Sequence, residues 1–562
     1  MKKLLALLLA LVMVIGMAAC GAKQEAAPAA TEAAPAATEA APAATEAAPA
    51  ATEAAASPSM YVIQGPQEYF EVPWFNCGAH TWVKAIYETL IGMDNKGEAT
   101  TTNGMAASNE MAADGLSLTV TLRDGLKWHD GEPVSADDVM WSCEALVKAA
   151  EGGASIQNLV KGGCQNIESM SAEGNVITFK FKQVLATQLQ CFTQMHILPK
   201  HCLENVDYTQ FQQDAFFQSP IGSGPWKVES AVMNEYANFV PFEEYWGGVP
   251  TFNIYATPSH MDADPNFVTK VLSGNLDYGY TKNYADVQAL EGQPGVTVTP
   301  VSVLYTRWLS FNQFAQPDED VNPLSDLRVR QAIAYAIDRD LICAQVFGGA
   351  CDPGDGTLTP TGTAWKVDGL EAYKYNPEKA KELLAEAGWD SSRVLKVSYY
   401  YTDQQTVDLI AIIQQMLAQV GIQIEGTLIT DTSVLNGPPA DKTDVTSKSS
   451  NAYDMGYAAL AATSFHNYYD RFHSEGVFHG APVSAEVDAM VDALMNEPDP
   501  AKQKAAYAEL EKWGAENLYI LPLYYQPIWV VTSDKVVDNL DLANLGNPQF
   551  DWDMNMQNWV LK

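Results

Sequence analysis

Side chains able to hold a metal or run a reaction are few and scattered in this chain, and the densest group lies late in it. His466 and Asp470 are four apart, so a helix would set an imidazole and a carboxylate on one face, and His473 and His479 follow. Such donors suit nickel, zinc or copper. Their spacing matches no closed ligand set, and Asn467, Tyr468 and Tyr469 between them are ordinary residues of a polar loop, so no metal is assigned. There is no H-E-x-x-H and no G-x-S-x-G nucleophile elbow. Carboxylates are too numerous for a glycosidase pair to be singled out. The expectation is a protein that binds rather than catalyses, with no cofactor.

Cysteine carries a different message. Cys20 follows Met17-Ala18-Ala19, after a basic start at Lys2 and Lys3 and an apolar run from Leu4. That run is shorter than the roughly 20 residues that span a bilayer, and small residues before a cysteine form a lipobox-like pattern. Residues 1–20 are therefore expected to be a lipoprotein export signal, with Cys20 the lipidated residue. Seven cysteines remain: Cys77, Cys143, Cys164, Cys191, Cys202, Cys343 and Cys351. Export permits disulfides, and Cys343 with Cys351, or Cys191 with Cys202, are conceivable local pairs; buried free thiols fit equally well.

From Glu25 the heptad Glu-Ala-Ala-Pro-Ala-Ala-Thr repeats, with Pro28, Pro35, Pro42 and Pro49 recurring. A coiled coil needs large apolar residues at two positions of each heptad, and a proline in every heptad breaks helices. Residues 21–59 are expected to be a disordered tether spanning about 35 Å. Beyond it the pattern changes. Leu116–Leu122 alternates as a half-buried strand does, a helix begins at Ser135 or Ala136 behind Asp137 and Asp138, and Val176–Phe181 is a second strand. Later, Val329, Ala332, Ile333, Ala336 and Ile337 share one helical face, and a helix runs from Pro377 to a stop at Gly388. Leu395–Tyr400, Val407–Val420 and Ile422–Glu425 then read strand–helix–strand, the unit of an α/β lobe. The length after the tether suits two or three packed lobes. A formal net charge of -36 excludes nucleic acid as a partner.

Five blocks in order carry a family resemblance. Leu122-Arg123-Asp124-Gly125-Leu126-Lys127-Trp128-His129-Asp130-Gly131-Glu132-Pro133 runs on to Asp137-Asp138-Val139; Gly222-Ser223-Gly224-Pro225-Trp226 and Tyr245-Trp246-Gly247-Gly248 follow. Arg328-Val329-Arg330-Gln331-Ala332 leads to Asp338-Arg339, and Tyr375-Asn376-Pro377 leads to Gly388-Trp389. From about Tyr61 onward the chain resembles the family-5 extracellular solute-binding proteins that serve oligopeptide and dipeptide ABC transporters. The resemblance implies an α/β, periplasmic-binding-protein-like fold (type II, cluster C) of two lobes with an extra domain in the first. Lobe I would comprise residues 60–94, 206–300 and 525–562, the extra domain 95–205, and lobe II 301–524, with crossings near 300–304 and 519–526. The lobes would close by a hinge over a peptide or similar small solute. A membrane permease with its cytoplasmic ATPase would then accept the solute from a lipid-anchored, monomeric protein outside the cytoplasm. The tether fits a single-membrane cell.

Arg123, Asp130, Asp137, Arg330 and Asp338 lie in the family blocks and are expected to fix loops and caps. In peptide-binding relatives an aspartate of lobe II anchors the α-ammonium, shortly after a strand ending in an aromatic. Here Tyr457 matches the aromatic while Leu460 (or Ala458) takes the aspartate's place, ahead of Phe465, His466 and Asp470; Asp470 is the nearby carboxylate. Tyr305, Arg307 and Trp308 sit at the first crossing, where aromatics can stack on a ligand and Arg307 can meet a carboxylate. Trp74 and Phe75, with Trp82, are further cleft candidates. Oligosaccharide or metal-chelate ligands, a sensory receptor of the same fold and an extracellular hydrolase are the alternatives.

Overall fold

The structure is a computed structural model that describes residues 59–562 except 66–69, 71, 75–80, 95–97, 155, 157, 259–263, 362, 364, 432–434, 436, 450–452, 462–470, 478 and 538–555. The signal with Cys20, nearly all of the tether, and Phe75, Phe465, His466 and Asp470 lie outside the described residues. Among those described, no helix is long and apolar enough to cross a membrane.

The chain begins with β1 (Ser59–Gly65) and then builds a separate antiparallel sheet. Its strands are β2 (Ala106–Met111), β3 (Ser117–Leu122), β4 (Ile167–Glu173) and β5 (Val176–Phe181), ordered β2-β3-β5-β4. Leu118, Val120 and Leu122 point inward from β3, as the alternation requires. Helix Ala136–Glu151 packs beside this sheet and starts where Ser135 donates both its N–H and its hydroxyl to the Asp138 carboxylate, each at 2.8 Å.

The chain then returns to the sheet of β1 with β6 (Trp226–Val232), β7 (Tyr236–Pro241), β8 (Asn253–Pro258) and β9 (Tyr278–Thr281). A long strand, β10 (Val296–Phe311), leads to the second half. There follow β11 (Asp352–Pro353), β12 (Val394–Tyr399), β13 (Gln423–Leu428) and β14 (Met455–Ala461). The long β15 (Ile520–Ser533) runs back. The eleven strands are ordered β13-β12-β14-β10-β15-β9-β1-β8-β7-β6, with β11 also on β15.

Among the described strands, only β10 and β15 belong to both halves of this sheet. They pair antiparallel from Val296–Ser533 to Ser310–Ile520, and their register breaks between Ser302 and Thr306 and again at Arg307–Trp308. Val301 and Ile528, before the break, join a core around Trp74, Trp128 and Trp226. Beyond it, Leu309 and Leu521 join a core around Ile333, Leu395 and Ile413. Burial of one such aliphatic side chain stabilises by about 1.5–3 kcal/mol, so each half has its own source of stability.

The family blocks act as scaffold. Asn376 caps helix Pro377–Ala387 by accepting from Lys379 N at 3.0 Å, and Gly388, at φ 67°, supplies the left-handed stop. The helical face expected over 327–338 divides: helix Leu327–Ala336 ends, and Asp338 caps a new helix, Arg339–Val346. Arg123 donates to Gly104 O at 3.0 Å and stacks over Trp246; Asp130 holds His201 at 2.8 Å. Of the two cysteine pairs, Cys343–Cys351 is joined, whereas Cys191 is a buried and Cys202 an exposed free thiol. Of the alternatives left open, the first pair is thus a disulfide and the second is not.

Candidate ligand-binding site

The break in β10 places a cation among phenols. Arg307 stands opposite Tyr524 of β15 on one side and Ala459 of β14 on the other. Ala459 is small, so the guanidinium can extend over that edge, and Tyr457, two residues earlier in β14, presents its ring on the same face. Tyr401, just past the end of β12, completes the group. The Arg307 Cζ lies 4.0 Å from the Tyr401 ring centre, 5.4 Å from Tyr305 and 5.9 Å from Tyr457. These are cation–π distances. The Tyr457 and Tyr524 hydroxyls share a hydrogen bond of 2.6 Å, and Tyr400 and Tyr401 another of 2.9 Å. Lys282, at the end of β9, lies 5.5 Å from the Tyr305 ring.

Electrostatically the group is unbalanced. Arg307 is 5% exposed, its Nε donates to the Gln526 carboxamide, and its Nη1 has no hydrogen-bond partner. Burial raises the Tyr401, Tyr457 and Tyr524 phenols above their ordinary values, so they stay neutral near pH 7. Among the described residues Arg307 makes no ion pair. A buried guanidinium without a counter-charge is costly, and Tyr305 and Tyr401 are half-buried, which leaves the group an approach. Chemically it can accept a carboxylate or another planar anion and cover its carrier with aromatic faces.

The structure thus brings together Tyr305, Arg307 and Tyr457 of the expected residues and separates others from them. Trp308 faces the opposite side of β10, in a core with Trp365, Ala458 and Phe472, its ring 5.5 Å from that of His479. Strand alternation explains the separation, since consecutive side chains leave opposite faces. Trp74 is fully buried, stacks on Phe211 at 5.2 Å and donates its indole N–H to His196 O at 2.8 Å. It is a core residue, and its expected place in the cleft is corrected. Leu460 pairs with Thr306 across β14 and β10. His473 accepts from Glu475 N and lies near Asp488 and Asp492, while His479 is half-buried beside Trp308. Sequence reasoning missed Tyr401, Tyr524 and Gln526. The tyrosine run 399–401 closing a parallel strand was the available signal, because ligands gather at the carboxyl ends of such strands.

Three comparisons bear on this architecture. A Brucella ovis protein named as an ABC transporter peptide-binding protein is 30% identical over 353 residues, 62% of this chain. The chain covers 64% of that relative's length. The substrate-binding protein CtaP from Listeria monocytogenes superposes with a TM-score of 0.77 at 20% identity, over 90% of this chain and 99% of that one. NikZ from Campylobacter jejuni, solved with Ni(L-His), gives 0.72 at 20% identity over 89% and 99%. These likenesses establish an α/β fold of the periplasmic peptide-binding type. The profile of bacterial extracellular solute-binding proteins, family 5 (middle region), matches residues 100–476, and the chain belongs to that family.

Proposed function

We propose that this chain is the extracytoplasmic substrate-binding component of an ABC importer and captures a peptide or peptide-like solute that presents a carboxylate to Arg307. One observation carries the reading of the ligand: a buried guanidinium, ringed by tyrosines where the two shared strands break register, with Nη1 unpaired. A ligand carboxylate supplies the missing charge. The rings of Tyr305 and Tyr401 then cover the groups beside it.

The lobes divide as residues 60–94, 206–300 and 525–562 against 301–524, with 95–205 as the extra domain of the first. Closure swings one lobe on the other about the breaks in β10 and β15. A contact between the halves supports such closure: Ala186 N–H, beside the four-stranded sheet, donates to Met495 O at 2.7 Å. Residues 1–20 direct export, Cys20 carries the lipid, and residues 21–59 tether a monomer to the outer face of the membrane. The closed form is presented to a permease driven by a cytoplasmic ATPase, and the chain itself turns nothing over. Leu460 in place of an acidic residue argues against recognition centred on the peptide's ammonium.

The test is thermal unfolding of the protein with matched peptides bearing a free or an amidated C-terminus, with nickel–histidine, and with neutral oligosaccharides. A ligand at a hundred times its Kd stabilises by about 2.7 kcal/mol. Free-carboxylate peptides should raise the midpoint and amidated ones should not. Equal shifts from both forms, or a shift from neutral sugars alone, would overturn the assignment to Arg307. A shift from nickel–histidine alone would replace the peptide with a chelate.

A further inference from the structure

Far from the Arg307 group, beside the four-stranded sheet, sulfur atoms converge. Cys143 lies on helix Ala136–Glu151, Cys164 in the last turn of helix Asn158–Gln165, and Cys191 on helix Gln188–Gln194, with Met195 just beyond. All four are buried. The Met195 Sδ is 3.4 Å from Cys164 Sγ and 3.9 Å from Cys143 Sγ. Cys164 also interacts with both other thiols, and a Cβ on Gly163 would come within 2.3 Å of Cys191 Sγ. That glycine lets the two short helices close on each other.

We propose that this nest is a binding site for a soft monovalent cation of the Cu(I) type, held by Cys143, Cys164 and Met195 with Cys191 alongside. Two features favour that class of ion. A cation about 2.3 Å from each sulfur, the usual metal–thiolate length, needs sulfurs roughly 3.8–4.0 Å apart, and the observed 3.4 and 3.9 Å require little movement. A thioether and thiols with no imidazole or carboxylate among the ligands favour soft ions such as Cu(I) over nickel.

Charge fits as well. Binding M⁺ requires one thiol to release its proton: the S–H bond of Cys164 breaks, an S–M bond forms, and the proton passes to solvent. The product is neutral, which a buried site tolerates, and only one thiol has to give up its proton, where a divalent ion would have to displace two. Access is built in, because Cys143 and Cys164 sit on the floor of a surface groove of about 990 Å³ between helix Ala136–Glu151 and β4.

The experiment is anaerobic titration of the reduced full chain with Ag(I), and then Cu(I), against a competing chelator. One equivalent should bind per chain, with release of one proton and a rise in the unfolding midpoint. Cys202→Ser and Cys77→Ser should keep that equivalent. Cys164→Ala should lose it. Met195→Leu, which keeps the volume and the fold, should weaken affinity at least about tenfold, since a direct ligand matters no less than the outer partners of metal sites. X-ray absorption of the Cu(I) form should show sulfur ligands only. No binding, binding unaltered in both Cys164→Ala and Met195→Leu, or loss of the equivalent in Cys202→Ser would overturn the proposal.

Discussion

Three arginines lie buried in the second half of this molecule, and they are held in opposite ways. Arg330 and Arg339, in the helices of the family block, are surrounded by carbonyls. Arg330 donates to Leu324 O at 2.7 Å, Ser325 O at 3.1 Å and Asn517 O at 2.9 Å, and only its Nε is left unpaired. Arg339 donates to Tyr373 O at 2.8 Å, to Ala372 O, and to Pro522 O at 3.4 Å. Arg307 receives one carboxamide and several ring faces, and keeps Nη1 free. Carbonyls that would otherwise be orphaned explain the first two as staples between segments distant in sequence. Nothing within the described chain plays that part for Arg307. Equal burial therefore conceals two roles, and the partner set separates them.

The largest effect expected is on the staple. Arg330→Met removes a donor shared by three carbonyls, that of Leu324 buried and those of Ser325 and Asn517 partly so, and should cost about 3 kcal/mol of stability, read from denaturant midpoints. Whatever fraction remains folded should bind ligand as before. Arg307→Met should do the reverse. Affinity for a carboxylate-bearing ligand should fall about a hundredfold, some 2.7 kcal/mol. Stability should move by less than about 1 kcal/mol, because an uncompensated buried charge leaves together with its bond to Gln526. If both variants lose stability alike, the distinction between staple and ligand site collapses.

A buried carboxylate on the other side of the shared strands sharpens the point. Glu88 accepts from Trp246 Nε1 at 2.7 Å and Tyr245 OH at 3.1 Å, while its second oxygen is unpaired. Burial pushes its pKa up to about 7, against which those two donors work. Since the folded value exceeds the unfolded value of about 4.3, its stabilising contribution is complete below pH 4 and lost as pH rises through 7. Glu88→Gln keeps both acceptor bonds and should remove that loss, so the variant should gain about 2 kcal/mol over the parent at pH 8 and almost nothing at pH 4. Ligand affinity should be unchanged, because this group lines a small pocket with Tyr87 and Tyr245 and does not belong to the tyrosines around Arg307. A change in affinity would mean that an unpaired buried charge alone does not mark the site.

What could be read in the sequence divides along the same line. Local signals were sufficient for the scaffold: Asn376, Pro377 and Gly388 announce a helix and its two ends, and the alternation of residues 117–122 announces a strand. They were sufficient for Arg307 and Tyr305 only because those residues sit where the chain crosses. The rest of the group comes from three other strands, and strand pairing across more than a hundred residues leaves no local trace. Tyr524 meets Arg307 through a register that breaks one residue later, which no pattern of period two reveals. Alternation alone would have parted Trp308 from Arg307. Trp74 was drawn to the cleft by its type, when its satisfied indole N–H is the mark of a core residue.

The smallest effect tests whether the tyrosine ring is prearranged. Tyr457 and Tyr524 are each at most 2% exposed, and their mutual hydrogen bond of 2.6 Å ties β14 to β15 across β10. Tyr524→Phe deletes that bond and leaves the Tyr457 hydroxyl buried without it, at a cost of about 1 kcal/mol. The aromatic faces toward Arg307 remain, so a ligand held through its carboxylate should lose no more than about threefold in affinity. Tyr457→Phe should match it within error, because either substitution removes the same bond, and the double variant should cost less than the sum of the two. A much larger loss of affinity from Tyr524→Phe than from Tyr457→Phe would assign the Tyr524 hydroxyl to the ligand. The line between staple and site would then run through the phenols as well as the arginines.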